Sequence, residues 1–445
     1  MAKLKKEALL EMYHKMEDIR NFDNKVNQLV RRGEVPGMTH FSVGEEAANV
    51  GAICALEKGD LITSNHRGHG QSIAMGIDLN GMMAEIMGKA NGVCKGKGGS
   101  MHIADVDAGN LGANGIVGGG MGIAIGAALT QKMKNTGKIV MCCFGDGATN
   151  EGSFHETLNL AAVWNLPVIF FCINNGYGIS TPISSVMRTK HVYERAAAYG
   201  VPGVFIEDGN DVLAVREAMD KVVKDVRAGK GPVLVETVSY RWFGHSTSDP
   251  GKYRTKEEVD EWKKKDPILK FRNYLIEKKL AKAEELDAIE AASHADVEAA
   301  VEYGRKGPEP SSKRAASAPL IAVAHERESN ATSLVRISRT SQRVCASGRL
   351  RASTNAEIWL LNRLASLSAT RESAEALLWR VMREEEERFS TRKTRAVSSE
   401  SAVSASWDFS SDESDMHISY PIRISRNSIA RHAREGAAPP GTARL

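Results

Sequence analysis

A carboxylate and a carboxamide, Asp146 and Asn175, stand 29 positions apart, each just past the end of an apolar run. Ile139–Phe144 leads into Gly145-Asp146-Gly147, and Val168–Ile173 leads into Asn174-Asn175. Hard oxygens of this kind suit Mg²⁺, which takes a few protein ligands and completes its shell with phosphate and water. Gly145 and Gly147 permit close backbone approach. A helix expected to begin near Ala148 would turn free N–H groups toward a diphosphate. The pair reads as a magnesium-diphosphate clamp. A lone Gly-Asp-Gly is more often a plain strand-to-helix turn with a capping Asp; the second polar pair at this distance favours the clamp.

The two clusters can meet only if the stretch folds as strand, helix, strand. Phe154, Leu158, Ala161 and Ala162 repeat at helical spacing between the apolar runs. Elsewhere the pattern predicts helices over Leu4–Arg32 (closed by Gly33), Glu45–Leu56, Met121–Leu129, 186–200 and Val212–Arg227. Strands are expected at Leu61–Ser64, Gly203–Glu207 and Pro232–Val238, and a helical, highly charged region at 256–304. Alternation of this kind implies an α/β fold: a doubly wound, mostly parallel sheet flanked by helices. Such sheets bind ligands beyond the carboxyl ends of their strands.

Histidines cluster at those ends. His40 precedes a helix, His66 follows the Leu61–Ser64 strand, and His245 follows Pro232–Val238. A histidine near operating pH is the usual proton-transfer group, although a loop histidine is more often simply solvated. Asn65-His66-Arg67-Gly68-His69-Gly70 reads either as an anion site or as a solvated polar loop. The glycine-rich run at 91–101, NGVCKGKGGSM, reads as a phosphate cradle or a flexible connector, and His102 after it is a weaker catalytic candidate than His245. Close helix packing accounts for Gly122 and Gly126. The polar loop up to Thr255 is expected to order only around a bound cofactor.

The run GDGATNEG, closed by NNGYGIST, resembles the signature of the thiamine-diphosphate enzymes. With HFSVGEEA, SNHRGHG, GKGGSMHIAD, GANGIVGGG and YRWFGHSTSDPGKYR, the chain from about Leu9 to Pro310 resembles the alpha subunit of the decarboxylase component of 2-oxo acid dehydrogenase complexes, the pyruvate and acetoin dehydrogenase group. The resemblance implies a thiamine-diphosphate-binding fold and the cofactors thiamine diphosphate and Mg²⁺. It implies metal ligation by Asp146, Asn175 and the Tyr177 carbonyl. Cofactor contacts are implied at His66, Arg67, Gly115, Val117, Asp146, Gly147, Ala148, Asn175, Tyr177 and His245, with Arg67 at the diphosphate and Gly115 and Val117 at the aminopyrimidine. His40 and His245 are implied to be catalytic. The implied reaction is oxidative decarboxylation of a 2-oxo acid, pyruvate first, with acyl transfer to a lipoyl group on a transacetylase. Acetoin cleavage is the alternative, and a transketolase half a remoter one. His66 stands where pyruvate enzymes often carry Tyr, Phe243 where many carry His, and Glu151 where many relatives carry Gln. The resemblance also implies a separate beta subunit in an α2β2 heterotetramer, since the acid that serves the aminopyrimidine comes from a second domain.

Composition narrows the rest. A formal charge of +4 with scattered Lys and Arg does not point to nucleic acid. Of six cysteines, Cys142, Cys143 and Cys172 lie in apolar runs and read as buried thiols, and no CxxC occurs. No apolar leader and no run long enough for a bilayer is present, so a cytoplasmic protein without membrane contact is expected. Residues 1–310 are expected to form one thiamine-diphosphate-binding domain. From 311 to 445 the chain turns rich in Ser, Arg and Ala, with Lys313 and Lys393 its only lysines and a helical pattern only at Glu372–Phe389. That tail is expected to be disordered, or the product of out-of-frame translation.

Overall fold

The computed structural model describes residues 4–311. The tail from 312 onward, with the pattern at 372–389, lies outside the described residues.

Five strands form one sheet: β1 (Leu61–Thr63), β2 (Val140–Gly145), β3 (Val168–Asn174), β6 (Gly203–Ile206) and β7 (Val233–Val238). Their order is β1-β2-β3-β7-β6, and every neighbouring pair is parallel. Two-residue strands β4 (Tyr177–Gly178) and β5 (Thr181–Pro182) make a small hairpin just past β3.

The apolar runs of β2 and β3 are unbroken, and β7 is apolar over Val233–Val235 and buried through Thr237, because both faces of the sheet are covered. Side chains alternate between two cores. Met141, Cys143, Ile169, Phe171, Ile173, Val233 and Val235 enter one core. It is completed by α1 (Lys6–Arg31), α2 (Glu46–Ile53), α3 (His69–Ala74) and α4 (Leu79–Ile86), and from the later chain by α8 (Val212–Arg227), α10 (Pro267–Glu277) and α11 (Ala283–Arg305). Val140, Cys142, Phe144, Val168, Phe170, Cys172 and Leu234 enter the other, against α5 (Gly119–Lys134) and α6 (Gly152–Val163). The short α7 (Ile183–Val186) and the surface helix α9 (Lys256–Lys263) complete the described chain. The three strand cysteines are free, buried thiols, as expected.

Local chemistry sets the ends. Gly33, at φ +75°, closes α1, and the Asp211 carboxylate caps α8 by accepting from Leu213 and Ala214 N–H at 3.0 Å each. Three expectations are corrected. The helix after Gly-Asp-Gly begins at Gly152, because Asp146–Asn150 first makes a tight 3-10 turn locked by Thr149 Oγ1 donating to Asp146 O at 2.7 Å. Residues 186–200 form no single helix; α7 ends at Val186 and a separate 3-10 turn spans Tyr193–Tyr199. Gly122 and Gly126 do not serve packing among the described residues, since a Cβ at either would meet none of them within 4 Å. No helix among the described residues is long and apolar enough to cross a membrane.

Candidate active site

β2 delivers Asp146 and β3 delivers Asn175 at the same edge of the sheet, because the parallel register sets Gly145 beside Ile173. Asp146 is 2% exposed, and its Oδ2 is buried with no hydrogen-bond partner among the described residues. Burial pushes its pKa up to about 6, against backbone hydrogen bonds, one from Asn175, and the charge of Arg241. Asn175 Nδ2 donates to Glu45 Oε1 at 2.8 Å, which turns its Oδ1 the other way. That Oδ1 and the Tyr177 carbonyl both accept from Arg241 Nη1, at 3.3 and 2.8 Å. The first Asn of the pair points elsewhere, with Asn174 Nδ2 donating to the buried Glu236 Oε1 at 2.6 Å. Gly147 allows close approach, since a Cβ there would stand 3.2 Å from Gly178 Cα, tighter than ordinary contact.

This donor set fits Mg²⁺. It offers an orphaned carboxylate oxygen, an amide oxygen and a carbonyl, all hard, around one strand edge. The α6 N-terminus lies one 3-10 turn beyond Asp146. Ala148 puts its side chain into the core beneath.

The three histidines converge. Ring centroids lie 4.8 Å apart for His40 and His66, 4.7 Å for His40 and His245, and 5.3 Å for His66 and His245. Arg67, buried, ties their loops together: Nη1 donates to Phe41 O at 2.7 Å and Nη2 to His245 O at 3.0 Å. Its fork thus rests on two main-chain carbonyls. Burial first, then Arg67, hold His40 down at about 2, His66 at about 3 and His245 at about 4, so all three are neutral near pH 7.

The glycine-rich loop does cradle an anion, but the anion is internal. Glu85, fully buried on α4, accepts from Cys94 and Gly96 N–H on Oε2 (2.8 and 2.7 Å) and from Gly98 and Gly99 N–H on Oε1 (2.6 and 3.1 Å). His102 is exposed, packs against Gly115 and stands apart from the three clustered imidazoles. His69 is also apart: it bridges Asp23 Oδ1 (2.6 Å) and Ser100 Oγ (3.0 Å) in the sealed interior, a relay no substrate reaches. Gly118, at φ +75°, turns the Gly115–Val117 loop into α5 beside Glu151 and Ser153, leaving Ile116 and Val117 exposed. Glu151 is exposed there.

The loop after β7 is tied together by its own side chains. Asp249 accepts from His245 N–H (2.5 Å), Gly251 N–H (2.8 Å) and Tyr253 OH (2.7 Å), and Arg254 donates to Arg241 O and Phe243 O, both at 2.7 Å. Arg241, Glu45 and Asp249 escaped the sequence reading. Arg241 lies only three residues past β7, in the same segment as His245, and that position was the available signal. Glu45 read only as a helix start.

A family model described as the dehydrogenase E1 component matches residues 14–313. The chain is 52% identical over 308 residues to the alpha subunit of acetoin:2,6-dichlorophenolindophenol oxidoreductase of Bacillus subtilis (strain 168), covering 69% of this chain and 92% of that protein. The corresponding subunit of Cupriavidus necator is 45% identical over 308 residues, with the same two shares. The pyruvate dehydrogenase E1 component subunit alpha of Rhizobium meliloti (strain 1021) is 38% identical over 311 residues, covering 70% of this chain and 89% of that protein. An edge of parallel strands carrying Asp146, Asn175 and His245, and relatives matched over nearly their whole length, agree: the chain belongs to the dehydrogenase E1 component family, as an alpha subunit of the thiamine-diphosphate-dependent 2-oxo acid dehydrogenase type.

Proposed function

We propose that this chain works with a beta subunit, as an α2β2 heterotetramer, to form a small acyl group and pass it to the lipoyl group of a transacetylase partner. The observation that carries the reading is the Asp146 Oδ2, buried and unpartnered among the described residues, on a carboxylate that the Asn175 main chain bonds, while Asn175 Oδ1 and the Tyr177 carbonyl share Arg241 as donor. Asp146, Asn175 and Tyr177 would hold Mg²⁺. Thiamine diphosphate, when bound, supplies the nucleophilic carbon and the electron sink. The chain's own residues bind and orient. Asp146, Asn175 and the Tyr177 carbonyl would hold the ion that offsets diphosphate charge, Arg67 fixes the loops of His40 and His245, and the imidazoles would accept or pass protons once negative charge offsets Arg67 and Arg241.

The partner reading is supported by α5. Its Ile123 and Met133 are 49% and 76% exposed, with Gly122 and Gly126 open beside them and Ile116 and Val117 exposed just before. A beta subunit packed there would cover this apolar strip.

Pyruvate is the substrate of the main reading. Acetoin is the second, and two observations favour it: His66 and Phe243 depart from the pyruvate pattern, and the two acetoin relatives exceed the pyruvate relative in identity. Calorimetry with thiamine diphosphate and Mg²⁺ on the reconstituted pair, then dye reduction across pyruvate, acetoin and branched-chain oxo acids, tests the whole. Cofactor-dependent turnover by the isolated chain overturns the beta-subunit requirement, and absence of thiamine diphosphate binding overturns the clamp.

A further inference from the structure

The three imidazoles offer a second kind of chemistry, separate from the oxygen clamp. We propose that His40, His66 and His245 form a binding site for a Zn²⁺-class transition-metal ion, and that occupancy of this site blocks the active centre.

Geometry is the first support. One ring nitrogen from each histidine lies within 4.8 Å of the others. Zn–N bonds of about 2.0–2.1 Å in a tetrahedral shell put nitrogens about 3.4 Å apart, so the rings need close by no more than about 1.5 Å. Side-chain rotation supplies that. Two of the three, His66 and His245, are only half-buried, leaving a path of entry and room for water as fourth ligand.

A second, independent observation is His40 itself. It is 3% exposed, and its Nδ1 is buried without a hydrogen-bond partner among the described residues. A buried polar atom left unpaired is costly, and a ligand would satisfy it. The other two rings make no side-chain hydrogen bond among the described residues, so no existing bond must break before they ligate.

Ligand type separates the two sites. Imidazole suits Zn, Cu, Ni and Co, whereas the Asp146 clamp suits Mg²⁺. The nearby positive charges of Arg67 and Arg241 oppose a cation, and Asp249, bonded to the His245 N–H, offsets them only in part. With no carboxylate or carbonyl among the described residues bonded to the far ring nitrogens, affinity stays below that of a structural zinc site. A reversible inhibitory ion fits those limits. His66 is the residue that makes the site, since a tyrosine there leaves two imidazoles.

The test uses the full chain, excess Mg²⁺, and Co²⁺ as the spectroscopic probe, and needs neither thiamine diphosphate nor turnover. Its outcome is therefore independent of the function proposed above. One Co²⁺ per chain is expected, with the intense visible absorption of a low-coordinate imidazole complex. His66→Tyr is expected to weaken binding by at least ~10-fold, the lower end of what an outer-shell partner alone contributes. Asp146→Asn is expected to leave Co²⁺ binding unchanged. Binding that survives His66→Tyr, or that Asp146→Asn abolishes, overturns the proposal. Zn-edge X-ray absorption on the unsubstituted chain decides without any variant: three imidazoles support the site, and an oxygen-dominated shell or fewer than three imidazoles refutes it.

Discussion

Arg67 donates from Nη2 to the main-chain carbonyl of His245 at 3.0 Å, across 178 positions of sequence. Through Nη1 the same guanidinium holds Phe41, the residue after His40. One planar fork thus fixes the spacing of three histidine-bearing loops. Lysine keeps the charge but is a compact point donor that cannot span two carbonyls. Arg67→Lys should leave one buried carbonyl unpaired, at about 1–3 kcal/mol. We expect a lower melting temperature and turnover of the reconstituted pair down by at least ~10-fold, the factor that 1.4 kcal/mol represents. Unchanged melting and turnover would show that the fork positions nothing.

Asp146 is stranded by burial, which raises its pKa. Its charge therefore costs stability until a cation arrives. Asp146→Asn should leave the melting temperature of the cofactor-free chain equal or higher. The rise in melting temperature on adding thiamine diphosphate and Mg²⁺ should vanish, with affinity lost by more than ~100-fold, beyond the cost of an outer-shell partner. A variant that still gains stability from the cofactor pair would place the ion elsewhere.

Glu17, on α1, is 5% exposed, and burial chiefly raises its pKa from 4.5 to about 7. Across that window the unfolded chain ionises at Glu17 while the folded chain keeps its proton, so stability falls as pH rises. Glu17→Gln removes the penalty. Thermal melts of the two proteins should coincide below about pH 4.5 and separate above about pH 7, the variant being more stable by on the order of 2–3 kcal/mol. A variant less stable at the higher pH contradicts this.

Gly126 faces open space on α5. Gly126→Leu should leave the isolated chain intact, or stabilise it by about 0.5–1 kcal/mol through helix propensity. Co-purification with the beta subunit should fail, because the added side chain occupies the strip where a partner helix would approach. Retained assembly, read by size-exclusion chromatography, would move the interface off this face.

Much of the fold was legible because period and punctuation agree. α8 keeps the expected bounds Val212–Arg227, and β2 and β3 are delimited by unbroken apolar runs ending in Gly-Asp-Gly and Asn-Asn. Asp146, Asn175 and His245 were legible for the same reason: each follows a strand. Contacts across the fold were not. The Arg67 bond to His245 and the Glu45 bond to Asn175 span 178 and 130 positions, and no local pattern encodes them. The glycine-rich loop reads as a phosphate cradle or a flexible connector; what it surrounds instead, Glu85, sits on a helix whose own pattern shows only an apolar face. Residues 186–200 hold only the last residue of α7 and a separate 3-10 turn at Tyr193–Tyr199, a division that no pattern in the stretch announces.

The ladder between β2 and β3 also measures length. Side chains alternate between two layers there, so one added residue in either strand would turn its tip toward the wrong layer and carry Asp146 or Asn175 out of reach of the other. Exchange of one apolar residue for another along these strands leaves both tips where they are. The edge of this sheet is therefore forgiving about which greasy residue stands at each rung and intolerant of any change in the number of rungs.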